Sequence, residues 1–220
     1  MATYSALGFA EPINSWSHLL GAIVYFFLTI QLLRSTLVSG GYSLFIAIFG
    51  FSCVFLFSMS GVYHLLSIGG SGRFILRALD HAGIYLIIAG TFTAVHGILF
   101  CGLMKWGVII LVWMLAINGI VLSTIYTESI PELWRLLSYL ALGWLGIISG
   151  IFLWREHGML FIKTFIFGGL AYTVGAVLEF FRQPVLIAGI FGPHELFHFA
   201  VLLGTGFHWA FVIKSLKVKR

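Results

Sequence analysis

Residues Trp106 to Tyr126 read WGVIILVWMLAINGIVLSTIY, 21 positions with no charged side chain. The hydrocarbon core of a bilayer is crossed by about 20 predominantly apolar residues of helix. Inside lipid every backbone polar group has to be satisfied within the segment, so such a stretch crosses as an α-helix. The same signature recurs on both sides of it. Charged residues and glycine or proline punctuation divide the rest of the chain into Trp16 to Leu33, Tyr42 to Leu66, Leu79 to Phe100, Leu133 to Trp154, Ile162 to Phe180 and His194 to Ile213. The expected fold is therefore all-α, a polytopic seven-transmembrane-helix bundle in which residues 1–220 make one integral membrane domain.

Composition agrees with this class and excludes others. A chain of 220 residues that is 60% hydrophobic and 9% charged is not a soluble domain. Its net charge of +5 comes from dispersed basic residues, with one cluster at Lys214, Lys217, Lys219 and Arg220, so no nucleic-acid partner is expected. Such a juxtamembrane basic tail suits anionic lipid. Cys53 and Cys101 lie in or beside apolar runs and read as packing residues. Pro12, Pro131, Pro184 and Pro193 all avoid the proposed helix interiors, and Gly40-Gly41 and Gly69-Gly70-Ser71-Gly72 mark connections. The sixth span is the weakest, because Lys163 and Glu179 leave only a short uncharged stretch between them; both side chains are expected to snorkel to opposite interfaces. Trp106, Trp134 and Trp154 are candidate interface anchors.

Seven spans put the termini on opposite sides. On the face that holds the N-terminus fall His18, His64, Asp80, His81, His194, Glu195 and His198, whereas His96, His157 and His208 fall on the other. Five of eight histidines and an intramembrane aspartate at one end are not scatter. Ionisable groups in a membrane are costly and mark functional sites. Counting basic residues places eight on the far side (Arg34, Lys105, Arg155, Lys163 and the four of the tail) against four on the near side (Arg73, Arg77, Arg135 and Arg182), which favours a cytoplasmic C-terminus.

Within this cluster His194 and His198 stand one helical turn apart, ~6 Å along the axis, with both rings on one face. They cap a helix start or share a metal. His194-Glu195-Leu196-Phe197-His198 also spells HExxH, in which the glutamate is a general base on metal-activated water, but that chemistry needs a third ligand. His64, near the end of the second span, offers one, and Ser60 sits one turn deeper on the same helix face. Three imidazoles from two helices with one open position make a catalytic zinc arrangement. Asp80, at the start of the third span, either caps that helix, pairs with Arg77, or orients the water and accepts its proton. His81 points about 100° away and stays outside the ligand set. Glu11, Asn14, Ser17 and His18 precede or open the first span, where helix capping is the simplest role and outer-shell hydrogen bonding the alternative. Glu128 and Glu132 read as solvated.

Taken together, Glu11-x-x-Asn14-x-x-Ser17-His18, Ser60-x-x-x-His64, Asp80-His81-x-Gly83-Ile84-Tyr85 and His194-Glu195-x-Phe197-His198 resemble, in order and over nearly the whole chain, the bacterial hemolysin III proteins, relatives of the progestin and adiponectin receptor family. The resemblance implies the adiponectin-receptor type of seven-helix bundle and a Zn2+ ion held by His64, His194 and His198. It gives Asp80 the position that contacts the zinc-bound water and Ser60 a supporting position in the catalytic set, and it gives Glu195 no role. It also implies a bacterial inner (plasma) membrane location, and from the receptor branch hydrolysis of ceramide-like amides, with a membrane lipid as substrate. The receptor branch has a cytoplasmic N-terminus, opposite to the charge count. Two other functions stand beside a lipid hydrolase: a pore-forming hemolysin, and a non-enzymatic regulator of membrane homeostasis with a structural zinc.

Overall fold

A computed structural model describes residues 9–38, 41–67, 69–126 and 129–219; Gly40, Glu128 and Arg220 lie outside them. The described residues form eight helices: α1 (Pro12–Arg34), α2 (Ser43–Leu65), α3 (Ser71–Leu99), α4 (Gly102–Ile125), α5 (Glu132–Trp144), α6 (Gly146–His157), α7 (Met159–Phe181) and α8 (Pro193–Val218). Helices α5 and α6 are successive parts of one stretch, Glu132–His157, so seven segments are long and apolar enough to cross a membrane.

Helix boundaries follow local chemistry. Pro12 and Pro193 open α1 and α8, where the missing N–H has no helical partner to lose. Between α6 and α7 the chain reverses on Gly158 at φ 79°, a conformation in which a Cβ would be strained. The fifth span is interrupted at Leu145, with Gly143 and Gly146 on either side, and Ile148 N–H bonds back to the Leu145 carbonyl in a tighter turn. Apolar patterning carries no mark of that break. The third helix starts at Ser71 rather than Leu79. Arg73 and Arg77 interrupt the hydropathy but not the helix, since arginine is a good helix former at an interface. Asp80 therefore lies in the third turn of α3, and the N-cap is Gly70.

Helix α3 is central: 83% of its apolar window is buried, against 22% for α4. The main core joins Ile46, Phe49 and Phe57 of α2 to Val95 and Ile98 of α3 and to Trp209 and Phe211 of α8. In lipid, helices associate through close packing rather than through hydrophobic expulsion of water. Gly83 supplies that closeness, because a Cβ there would sit 2.9 Å from the Leu56 Cα. The backbones of α2 and α3 thus meet below the turn that carries His64 and the turn that carries Asp80. Helix α8 packs along α7 and closes on α1 and α3, whereas α5 lies thinly against α3, α4 and α7. On the outside of α4, Ile110, Met114, Ile117 and Val121 are exposed and form a lipid-facing stripe. Trp106, Trp134 and Trp154 are exposed near helix ends, as interface anchors are. Cys53 is buried in the core, but Cys101 is exposed just before α4 and is not a packing residue.

Candidate metal centre

The last turn of α2 and the first two turns of α8 bring His64, His194 and His198 together. One ring nitrogen from each lies within 4.8 Å of the other two. Ring centroids are 4.9 Å apart for His64 and His194, 4.7 Å for His64 and His198, and 4.8 Å for His194 and His198, a nearly equilateral set. His64 and His198 are buried, and His194 is 37% exposed.

The outer nitrogens explain how two of the rings are aimed. His64 Nδ1 donates to Glu11 Oε2, which also accepts from Arg73 Nη2 at 2.8 Å. His194 Nδ1 contacts Glu179 Oε1 at 3.2 Å, and the same oxygen accepts from Arg182 Nη1. With both Nδ1 protons turned to carboxylates, the two Nε2 atoms face each other as lone pairs, 3.4 Å apart. Two lone pairs at that distance repel unless a proton or a metal cation lies between them. Tetrahedral zinc with Zn–N bonds of about 2.0–2.1 Å spaces neighbouring nitrogens by about 3.4 Å. The third imidazole adds a buried Nδ1 without a hydrogen-bond partner. The donor set fits a divalent cation of zinc's size and preference.

Glu11 precedes α1 but makes no side-chain cap; the capping role expected of it gives way to the His64 relay. Burial pushes its carboxyl pKa up, but the hydrogen bond and charge of His64 and the neighbouring Arg73 outweigh burial and hold it at about 2. Asn14 is likewise no cap and donates to Glu195 Oε1 at 2.9 Å. His18 stacks on His198 with centroids 3.9 Å apart, and its Nε2 lies 3.4 Å from the His198 carbonyl. Only Ser17 behaves locally, donating to the Asn14 carbonyl. Glu195 spends its second oxygen on the Gly192 N–H at 2.8 Å, closing the first turn of α8. Both its oxygens are engaged in structure, and the HExxH spelling does not place a base at the trio.

Asp80 lines the same cavity as His64 and His194, as does His81. Ser60 is buried one turn along α2 from His64 and is outside the cavity wall. The cavity has a volume of about 1320 Å³ and runs from His64 and His194 down between α3, α5, α6 and α7, past Ile88, Leu140 and Ile166, to Trp154 and Met159. Ile147, Ile151 and Leu170 line it and are themselves exposed, so it opens sideways between α5–α6 and α7. Glu179 is the residue that the sequence pattern hides: at the end of an apolar helix it looks like a snorkelling carboxylate. Face parity was the available signal, because the end of the sixth span lies on the same side as the start of the seventh.

A seven-span bundle with a histidine trio at one end and a lipid-facing cavity below it defines the class. The family model described as Haemolysin-III related matches residues 9–209. The chain belongs to this family of integral membrane proteins. It is 29% identical over 200 residues to Hemolysin-3 of Bacillus cereus, covering 89% of this chain and 86% of that protein. It is also 29% identical over 158 residues to a Hemolysin-3 homolog of Bacillus subtilis (strain 168), covering 72% and 70%.

Proposed function

We propose that the protein is an intramembrane zinc hydrolase that cleaves an amide or ester bond of a membrane lipid, in the manner of a ceramidase. The observation that carries this reading is the 3.4 Å approach of two imidazole nitrogens, each aimed by a carboxylate, at the end of a sideways-opening apolar cavity. His64, His194 and His198 would hold a zinc ion, which would supply a Lewis acid for the carbonyl and lower the pKa of water toward neutrality.

The protein's own groups do the rest. The wall formed by Ile88, Leu140 and Ile166 takes the acyl chain and excludes bulk water. Asp80, on the wall of the cavity that His64 and His194 also line, accepts a proton from the attacking water and delivers it to the departing nitrogen or oxygen. The acyl carbon gains a C–O bond and loses its C–N or ester C–O bond, which leaves a fatty acid and an amine or alcohol. Ser60 supports His64 from within α2. Glu11 and Asn14 act one shell further out, the first on His64 and the second through Glu195.

The relatives' name supports a pore as a second reading. The cavity speaks against it: below the trio its wall is largely apolar, whereas a conducting path needs polar groups along its length. Metal analysis and lipid turnover by the purified protein decide the matter. Zinc near one per chain, lost together with hydrolysis in His64→Ala, supports the hydrolase. Metal-free wild-type protein, or hydrolysis that survives in His64→Ala, ends that reading.

A further inference from the structure

The two carboxylates behind the trio are alike in chemistry and unlike in setting. Behind His64, Glu11 and Arg73 are enclosed, with side-chain exposures of 16% and 11%. Behind His194, Glu179 is equally enclosed, but its partner Arg182 is 60% exposed. Arg182 also reaches a second carboxylate, Glu132, at 2.8 Å. Glu132 is the first residue of α5, a helix that lies thinly against α3, α4 and α7. Glu132, Arg182, Glu179 and His194 all line the cavity, and together they run across its near end from α5 to α8.

We infer that Glu179 is the positioning residue of His194, and that Arg182 makes this hold conditional on where α5 stands by bridging Glu179 to Glu132. The inference rests on the metal-site reading above. Glu179 Oε2 is buried without a hydrogen-bond partner, so the carboxylate depends on Arg182 as its counter-charge. An exposed ion pair such as Arg182 with Glu132 is weak and parts readily. Deeper in the membrane, α5 is tied to α7 by the Trp144 to Thr173 hydrogen bond at 3.2 Å. Movement of the near end of α5 therefore breaks the Glu132 contact first, draws on Arg182, and loosens the imidazole that is already the most exposed of the three. Admission of a lipid between α5 and α7 is in this way coupled to the grip on the metal.

The test compares wild type, Glu179→Gln, Arg182→Gln, Arg182→Lys, Glu132→Gln and the Arg182→Gln/Glu132→Gln double variant, purified in lipid nanodiscs. Zinc affinity is read by chelator competition and ligand geometry by the visible spectrum of the Co2+-loaded protein. Loss of a metal-ligand partner of this kind weakens binding about 10- to 100-fold, which is expected for Glu179→Gln together with an altered Co2+ spectrum. Arg182→Gln and Glu132→Gln are expected to weaken binding several-fold, with no further loss in the double variant, and Arg182→Lys to recover part. Wild-type protein that binds zinc alongside a Glu179→Gln variant with unchanged affinity and spectrum overturns the positioning role. Weakening in Glu179→Gln alone, with the Arg182 and Glu132 variants at wild-type affinity, overturns the link to α5. Metal-free wild type removes the metal-site reading itself and this inference with it. If Glu179→Gln does not fold, Arg182→Gln decides: unchanged affinity there overturns the proposal.

Discussion

His96 and the His64, His194, His198 trio show one residue type put to opposite uses at the two ends of the bundle. His96 lies in the part of α3 toward the far face, wholly buried, and both of its nitrogens are engaged: Nδ1 with the Met104 carbonyl at 2.6 Å and Nε2 with Ser149 Oγ at 2.8 Å. It clamps α3 to α4 and α6, and no ring nitrogen is left for a ligand. At the near face, carboxylates take the outer nitrogens of His64 and His194 and leave the inner ones facing each other. Burial alone does not separate a structural histidine from a candidate ligand; the partner of each nitrogen does.

The sharpest way to break the comparison is to delete one member from each end. His198→Ala is expected to lower bound zinc from about one per chain to background, measured by elemental analysis of the purified protein, because two imidazoles do not complete the usual three-ligand catalytic set. Zinc retained at wild-type occupancy would show that the trio is not the ligand set. A smaller effect is expected of Asp80→Asn: hydrolysis falls about 10²–10⁴-fold, the range for loss of a general acid or base, while zinc content stays at the wild-type value. His96→Ala should do the reverse. It leaves the Met104 carbonyl and Ser149 without their partner and costs about 1–3 kcal/mol of stability, seen as a lowered melting temperature with unchanged zinc. The smallest effect belongs to Glu195→Gln, which keeps an oxygen for the Gly192 N–H or for Asn14. Stability should fall by less than about 1 kcal/mol and turnover should stay near wild type, whereas a zincin-type base at this position would abolish it.

Much of this was legible in the residues, and the part that was not has physical reasons. Seven spans follow from hydropathy because a bilayer sets helix length, and the trio follows from the four-residue spacing of His194 and His198 together with the face parity that brings His64 to them. The start of α3 was not legible, since Arg73 and Arg77 interrupt an apolar count without interrupting a helix. Nor was the break at Leu145, because glycines flank continuous and interrupted membrane helices alike. Glu179 was visible as a charge but not as a relay, and for Glu11 outer-shell hydrogen bonding stood only as the alternative to capping. A carboxylate beside a helix end satisfies the same local pattern whether it caps, snorkels or turns inward, and only the approach of α2 to Glu11 and of α8 to Glu179 distinguishes these.

The candidate ligand nitrogens come from α2 and α8, the second and the seventh of the described spans, and α8 is pinned against α1 by the Asn14 to Glu195 hydrogen bond and the His18 to His198 stack. During synthesis His64 thus waits in the bilayer, held by Glu11, while five more spans are made. On the metal-site reading, capture of the ion has to wait for α8, and a chain truncated before α8 carries the greater part of the bundle but one of the three candidate ligands, His64.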